Sequence, residues 1–244
     1  MESTNIDVSL RILYKSAACI VVNKLKGEAV EGARGGIESL PEKLKTFLDG
    51  GFVEAVHRLD VPVTGCALFA LEKPALVYLN DVFAGRNKMR VQKHYWAIVE
   101  KPSHILPERA RLVHQIETNL RLNKSFAYSE HAPGRKKASL KYRVTGEGKN
   151  YLFLEVELLS GRHHQIRAQL AAAGLHIKGD LKYGARRSEK DGGIRLHART
   201  LSFPDNGEII CITAQPPLMD NLWKDFINQL SIAALPAEYG AQTD

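Results

Sequence analysis

The sequence predicts an α+β fold built on a mixed, mainly antiparallel sheet with flanking helices. Strand-like runs outnumber helical ones, and the few helical segments are short and scattered along the chain. Such an order is typical of α+β proteins. Hydrophobic residues make up 44% of the 244 residues, which can supply a substantial core. We find no linker or internal repeat, so we expect a single domain over residues 1–244.

Five runs rich in β-branched and aromatic residues, each bounded by turn-forming residues, predict strands. They are Cys19 to Val22, Cys66 to Leu71, His94 to Val99, Leu152 to Leu159 and Glu208 to Thr213. In the fourth run, leucine and valine alternate with Phe153 and two glutamates, the period of two expected of a sheet with one more exposed face.

Four segments have the spacing of helices. The first begins after Ser39 as N-cap, carries Leu44, Phe47 and Leu48 on one face, and ends at Gly50 and Gly51. The others run from about Pro74 to Ala84, from His164 to Ala173, and from Asp220 to Leu230. The last of these predicts a buried stripe at residues 222, 223, 226, 227 and 230.

The formal net charge of +7 favours a polyanionic partner. Its lysines and arginines gather in three runs, which span residues 86–93, 135–143 and 182–190. A generally basic protein with solvated charges is the alternative that charge alone leaves open.

Several classes of protein are not expected. Cys19, Cys66 and Cys211 lie far apart in apolar runs, which predicts buried free thiols and a reducing cytoplasm. The adjacent His163 and His164 would point in different directions on a helix, so we expect no metal site. No run approaches the roughly eighteen apolar residues that a membrane helix needs. We therefore expect a cytosolic protein without a membrane span.

The most informative motif is His57-Arg58-Leu59-Asp60, which precedes the turn-forming Val61 to Gly65 and a predicted strand. Alone it is also compatible with a surface ion pair. A second cluster, Gly161-Arg162-His163-His164-Gln165-Ile166-Arg167, follows about a hundred residues later, and the run Lys178 to Gly184 comes after it. The segment Lys93-His94-Tyr95-Trp96-Ala97 lies between the two clusters.

With these motifs in this order, the chain resembles the RluA family of RNA pseudouridine synthases. The resemblance extends from Ile20-Val21-Val22-Asn23-Lys24 to Leu196-His197-Ala198, and so covers roughly residues 12 to 217. It implies the pseudouridine synthase catalytic fold, with a bent sheet and a central active-site cleft, followed by the helix at about 220–230. Only about eleven residues precede the first core strand, so we do not expect the S4-type RNA-binding domain that many relatives carry.

The resemblance implies an isomerase that converts uridine in RNA to pseudouridine without a cofactor. It assigns the catalytic carboxylate to Asp60 and its positive partner to Arg167, although Arg167 could also be a helix-surface cation. Tyr95 would stack on the uracil and could move the proton of carbon 5. Because residues alternate along a strand, Tyr95 and Trp96 must lie on opposite faces.

Further residues are expected to bind substrate: Arg58, His57, Leu196, Arg162, Gln165 and Lys24. Arg58 would enter the RNA helix as the target nucleotide leaves it. Leu196 would form an apolar wall of the pocket or be a core leucine, and Lys24 is either structural or a phosphate contact. The chain departs from the family pattern at Val63, His163 and Gln169, which puts substrate details in doubt but not the reaction.

The expected partner is a stem-loop of ribosomal or transfer RNA, and the expected oligomeric state is a monomer. The basic stretch from Asn119 to Arg143 would contribute to the choice of substrate. An RNA-binding or RNA-chaperone protein, in which catalysis is secondary, is the alternative. A hydrolase that uses Asp60 and a histidine ranks below both, because the chain has no paired carboxylate or nucleophile–base motif.

Overall fold

The computed structural model, which describes residues 6–32 and 38–233, contains a sheet of eleven strands. Their bounds are β1 Ile12–Lys15, β2 Cys19–Lys24, β3 Glu54–Ala55, β4 Thr64–Ala70, β5 Gln92–Glu100, β6 Arg109–Asn119, β7 Lys124–Tyr128, β8 Lys136–Glu147, β9 Tyr151–Leu158, β10 Leu196–Asp205 and β11 Glu208–Thr213. All five predicted strands are present, with small shifts at their ends.

The order of the strands across the sheet is β1-β2-β4-β10-β5-β9-β8-β6-β7, with β3 beside β4 and β11 beside β10. Strand β10 pairs in parallel with β4, whereas every other strand pair in the described chain is antiparallel. The predicted mixed, mainly antiparallel α+β fold is therefore confirmed.

Four α-helices flank this sheet in the described part of the chain: α1 Leu40–Phe47, α2 Lys73–Phe83, α3 Gln165–Ala172 and α4 Asn221–Ala233. Ser39 caps α1 in a capping box with Glu42. Helix α3 begins one residue later than predicted, because His164 has a left-handed backbone (φ 50°) and serves as the N-cap. No described helix is long and apolar enough to cross a membrane.

The two faces of the sheet bury different residues. Tyr95 belongs to the main core, on the face of the sheet that also carries Leu140 and Leu154. Trp96 lies on the other face, where its ring packs 4.9 Å from that of Phe226 in α4. The prediction that Tyr95 and Trp96 face opposite ways is confirmed. Phe153, predicted on the more exposed face of β9, is buried because α4 covers it.

One prediction of burial, that of Cys211, is wrong. Cys211 is exposed, because it alternates along β11 with Ile210 and Ile212, whose side chains pack on the core. Phe47, at the last position of α1, is 40% exposed, whereas Leu44 of the same helix is fully buried. In both places the element lies at the edge of the molecule, so one of its faces meets solvent.

The first two residues of β4 are fixed by the contact of this strand with β10. Gly65 has φ 112°, and a Cβ atom at this position would lie 2.2 Å from the carbonyl oxygen of Ala198. Thr64 Oγ1 and His197 Nδ1 are hydrogen-bonded at 2.8 Å across the same pair of strands. Only glycine allows this conformation and this close approach. These two residues therefore anchor the loop that carries the HRLD motif.

Candidate active site

The loop between β3 and β4 carries Asp60, which lies four residues before the first residue of β4. Val63 N donates to the carbonyl oxygen of Asp60 at 2.9 Å, which closes a tight turn directly after the carboxylate. Leu59 is buried in the main core and anchors the preceding residue. The side chain of Asp60 is 22% exposed, so its carboxylate is partly open to solvent.

Arg167 connects Asp60 to a second carboxylate. Arg167 Nη1 donates to Asp60 Oδ2 at 3.0 Å, while Nε and Nη2 donate to the two oxygens of Asp180 at 2.7 and 2.8 Å. The Arg167 side chain is only 5% exposed, so Arg167 is the cation of a buried ion pair and does not lie on the helix surface. Burial alone would lower the pKa of Arg167, but its contacts with Asp180, and then with Asp60, hold the pKa above its usual value.

A hydrogen-bonded group of side chains surrounds this ion pair. His164 Nε2 lies 3.6 Å from Asp60 Oδ2, and its Nδ1 is hydrogen-bonded to the Tyr183 hydroxyl at 3.0 Å. Ser125 N donates to the same hydroxyl at 2.8 Å. Burial lowers the pKa of His164 to about 4, although the charge of Asp60 acts in the opposite direction. His164 is therefore neutral at pH 7, and its Nδ1 can accept a hydrogen bond from the Tyr183 hydroxyl.

A cavity of about 730 Å³ opens beside Asp60, and Tyr95, Leu196, Arg162 and Lys93 are among the residues that line it. Tyr95 is 5% exposed, and burial, followed by the charge of Asp60, raises its pKa above the usual range. Leu196 is 3% exposed and also belongs to the main core, so it is both a wall of the cavity and a core leucine.

His57 and Arg58 line the same cavity but differ in exposure. The His57 ring stacks on Phe83 at 5.2 Å, and its Nε2 accepts a hydrogen bond from Leu68 N at 3.2 Å. Burial lowers the pKa of His57 to about 3. The Arg58 side chain is 67% exposed and lies 3.5 Å from Glu31. His57 therefore holds the loop, whereas Arg58 can reach a ligand.

The structure does not support phosphate binding by Lys24. Its side chain is fully buried, and Nζ donates to the carbonyl oxygens of Leu25, Val61 and Val63 at 2.7–3.0 Å. Burial lowers its pKa to about 7, against the charge of Glu28. Because all three contacts are with backbone carbonyls, two of them in the turn at Asp60, the structural alternative is the one that the geometry supports.

Gln165 and Arg162 lie side by side at the cavity but have different environments. The Gln165 amide accepts from Ser160 Oγ and Arg162 N and donates to Ser139 O and to Gln169. These contacts favour a structural role for Gln165, and its binding to substrate stays a prediction. Arg162 is exposed, and its guanidinium keeps donors free beyond the contact of Nε with Lys137 O at 3.4 Å.

The sequence-based assignment of roles missed Asp180, Tyr183 and His164. All three lie in runs that the motif search singled out, but no role was attached to them. A signal was present for Asp180, since an acidic residue in the glycine-containing run Lys178 to Gly184 is a natural partner for an arginine of the preceding helix. Lys93 was named as part of a basic run and of the segment Lys93 to Ala97, but no role was attached to it, although it lines the cavity and burial lowers its pKa.

Two solved structures share this fold. The human RNA pseudouridylate synthase domain containing 1 protein superposes with a TM-score of 0.69 and 24% identity, covering 93% of this chain and 95% of that one. The human domain containing 4 protein gives a TM-score of 0.70 with 22% identity, covering 92% and 94%. At these identities, the two structures establish the fold.

Sequence relatives include two bacterial enzymes named ribosomal large subunit pseudouridine synthase C. The Vibrio parahaemolyticus protein is 27% identical over 215 residues, which cover 83% of this chain and 64% of that protein. The Salmonella typhimurium protein is 30% identical over 227 residues, which cover 87% and 67%. The chain thus spans about two thirds of the length of these relatives. Residues 18–172 match the family described as RNA pseudouridylate synthase. The chain belongs to the RNA pseudouridylate synthase family.

Proposed function

We propose that this protein isomerises specific uridines in RNA to pseudouridine, with Asp60 as the catalytic carboxylate. The observation that carries the proposal is the position of Asp60, which is partly exposed beside a 730 Å³ cavity and is held by the buried guanidinium of Arg167 at 3.0 Å. A carboxylate that is fixed by a charged hydrogen bond and open to a cavity can meet a substrate in one defined orientation.

The reaction breaks the bond between N1 of uracil and C1′ of the ribose and forms a bond between C5 and C1′. The proton of C5 is lost and N1 becomes protonated, so the product is an isomer of the substrate and no cofactor takes part. Asp60 acts as a nucleophile or base toward the ribose or the uracil. Arg167 fixes its orientation, and Asp180 fixes that of Arg167 through two further hydrogen bonds.

Tyr95 contributes a platform for the detached uracil. A tyrosine ring offers a flat apolar face to a planar base, and its hydroxyl can donate and accept. Because burial and Asp60 raise the pKa of Tyr95, its hydroxyl is protonated at neutral pH. This favours stacking and hydrogen-bond donation over a role as the base that removes the C5 proton. Leu196 keeps water from one wall of the cavity.

Arg58 handles the RNA outside the cavity. Its guanidinium is largely exposed, and among the described residues its ion-pair partner is the similarly exposed Glu31. Such a contact contributes little free energy and is easily exchanged for a phosphate. A uridine within a stem must leave the base stack before it can enter the cavity. Arg58, two residues before Asp60, is placed to occupy or brace the space that the uridine leaves.

The proposed substrate is ribosomal RNA of the large subunit. Support comes from the names of the bacterial relatives, which describe pseudouridine synthases of the large ribosomal subunit. Transfer RNA remains the competing substrate from the sequence-based prediction. Mapping pseudouridines at single-nucleotide resolution in a deletion strain distinguishes the two, because the missing modification identifies both the RNA and the uridine.

Tritium release from RNA labelled at C5 of uridine tests the reaction. The wild-type protein should release tritium, and Asp60→Ala should lower the rate by about 10²- to 10⁴-fold, the range for a positioned acid–base group. Asp225→Ala is the matched control, since Asp225 is exposed on α4. Release by Asp60→Ala at the wild-type rate would exclude Asp60 as the catalytic carboxylate.

The same variant tests the RNA-chaperone alternative. An isomerase requires Asp60 for modification, whereas a chaperone requires only the RNA-binding surface. If Asp60→Ala restores growth and ribosome assembly in the deletion strain as well as the wild type does, catalysis is secondary to binding. We expect Asp60→Ala to bind RNA and to leave the target uridine unmodified.

A further inference from the structure

We infer that the outward face of strands β6, β7 and β8 binds the RNA strand that flanks the target uridine. The outward face means the side turned away from the main core, with Arg111 on β6, Phe126 and Tyr128 on β7, and Lys137 and Ser139 on β8. The inference rests on the proposed function, because it extends the surface that holds the RNA beyond the cavity. Its experiment measures binding, which does not depend on turnover.

The register of β6 and β8 places like charges opposite each other on this face. Arg111 pairs with Lys141, and Arg109 pairs with Arg143. Like charges directly opposite in an antiparallel pair are destabilising. Between these two pairs, Ala110 and Tyr142 face the other way into the main core, so the alternation along both strands fixes the charged residues on the outward side.

The cations of this face fall into two groups. Lys141 lies 3.0 Å from Glu157, and Arg143 forms an ion pair with Glu155. Within the described residues, Arg111 and Lys137 form no ion pair with an acidic side chain, and both are exposed. Arg111 instead donates from Nε to Ser139 Oγ at 3.0 Å. These two cations therefore keep their charge available for phosphates.

The unpaired cations lie on the side of the strands that adjoins the cavity. Arg162, which lines the cavity, donates to the carbonyl oxygen of Lys137 at 3.4 Å. Ser139 N donates to Ser160 Oγ at 2.9 Å, and Ser160 also lines the cavity. The hydrogen bond to Ser139 turns the Arg111 side chain toward the same end. Arg162, Lys137 and Arg111 thus form a track that leads away from the site.

The length of the track suits a short RNA segment. Lys137 lies opposite Gln115, four residues along β6 from Arg111. At about 3.4 Å per residue this separation is roughly 14 Å along the strand. A stacked nucleic-acid strand rises about 3.4 Å per nucleotide, so the two cations would contact phosphates roughly four nucleotides apart.

Aromatic rings complete the face at the edge of the sheet. Tyr128 on β7 also lies opposite Gln115, in the same row as Lys137, and the Arg135 guanidinium stacks on its ring at 3.6 Å. Arg135 itself is paired with Glu117 at 3.1 Å. Phe126, two residues before Tyr128, has Lys124 Nζ 5.4 Å from its ring centre. Aromatic and guanidinium planes beside a basic track are the combination that binds unpaired bases.

Equilibrium binding of fluorescein-labelled oligouridine, measured by anisotropy over a range of KCl concentrations, tests the track. In Arg111→Gln/Lys137→Gln, the slope of log affinity against log salt should become shallower by about 1.4, or 0.7 per lost phosphate contact. The dissociation constant should rise more than about tenfold at low salt. Lys141→Gln/Arg143→Gln is the matched control, because it removes the same charge from the same face but leaves the track intact.

The comparison of the track variant with its control decides whether the inference holds. A larger loss of affinity and slope in the track variant than in its control supports the inference, whereas equal losses, or none, overturn it. Tyr128→Leu supplies an independent readout, since loss of stacking should weaken binding and leave the salt slope unchanged. Thermal unfolding of each variant verifies that it is folded. If tritium release failed to depend on Asp60, the proposed reaction would fall while these binding results would stand.

Discussion

Asp60 and Asp180 share one guanidinium but lie in different surroundings. Asp180 is 1% exposed at its side chain and accepts two hydrogen bonds from Arg167 in a fork. Asp60 is 22% exposed and accepts one. A bidentate contact with a planar guanidinium fixes distance and angle together, whereas a single contact leaves the carboxylate one free oxygen. Asp180 therefore anchors Arg167, and Asp60 is presented by it.

This difference shows how a buried cation can serve a reactive group. Removing an arginine from water is costly unless its donors are satisfied, and Asp180 satisfies two of them inside the protein. The third donor then points at Asp60 without having to stabilise the fold by itself. The backbone around Asp60 is held separately, by the buried ammonium of Lys24. The reactive carboxylate is thus positioned from both sides and stays open toward the cavity.

The largest expected effect is the difference between Asp180 and Asp60 in their contributions to the free energy of unfolding. Asp180→Ala should lower the free energy of unfolding by about 3–5 kcal/mol, because it leaves a buried guanidinium without its main partner. Asp60→Ala should lower it by less than about 1.5 kcal/mol, the contribution of one hydrogen bond. Denaturant unfolding of both variants measures the two values. Equal losses would mean that both carboxylates are structural.

Part of the fold follows from local sequence patterns, whereas the chemistry of the site was expected from the family resemblance. The alternation in residues 152–158 and the apolar spacing of residues 222–230 predict β9 and α4 correctly, since each needs only its own face to be buried. Strand β8 was missed because its lysines suggested a solvated basic stretch. The alternation of exposed Lys137 and Lys141 with buried Ala138, Leu140 and Tyr142 is visible only when the burial of one face is considered.

The parts of the site that could not be predicted depend on contacts between distant segments. The pairing of Asp60 with Arg167 was expected from the family resemblance, and the structure places them 3.0 Å apart across 107 positions of sequence. The fork from Asp180 depends on the chain reversing after α3, where Gly179 has φ 89°. The burial of Lys24 depends on the carbonyl groups of a turn 37 residues away. No local pattern encodes either contact.

Arg167→Lys tests whether the fork, and not the charge alone, produces the difference between the carboxylates. A lysine keeps the charge but cannot make two parallel hydrogen bonds to Asp180 and a third to Asp60. We expect a loss of about 1.5–3 kcal/mol in the free energy of unfolding and a fall in tritium release of at least about tenfold. The control is Arg195→Lys, in a buried ion pair with Glu189. It should lose stability without a comparable loss of tritium release.

A smaller expected effect is the pH dependence of the free energy of unfolding that His164, the neighbour of Asp60, produces. The pKa of His164 is about 4, below its ordinary value of 6.5. As the pH falls from 6.5 to 4, the unfolded chain binds a proton that the folded chain does not, so the free energy of unfolding decreases. Between pH 7 and 5 the decrease from this residue should be roughly 1–2 kcal/mol.

Comparison of the wild type with His164→Gln isolates this contribution, because His57 and His197 also have lowered pKa values and remain in both proteins. The variant should lose less stability on acidification. A steeper loss of stability in the variant would mean that protonated His164 forms an ion pair with Asp60. Asp60 would then have two cationic partners, Arg167 and His164.

The smallest expected effect comes from Tyr183, whose ring lies 4.8 Å from the Arg167 guanidinium and whose hydroxyl bonds His164 and Ser125 N. Tyr183→Phe keeps the ring and removes the hydroxyl, so it should lower the free energy of unfolding by about 1–2 kcal/mol. Tritium release should fall less than about tenfold, because Asp180 still holds Arg167. Tyr142→Phe is the control, because the Tyr142 hydroxyl makes a long hydrogen bond of 3.5 Å to Pro107 O. A fall as large as that of Arg167→Lys would show that Asp60 is aligned through His164 and Tyr183 as much as through the arginine.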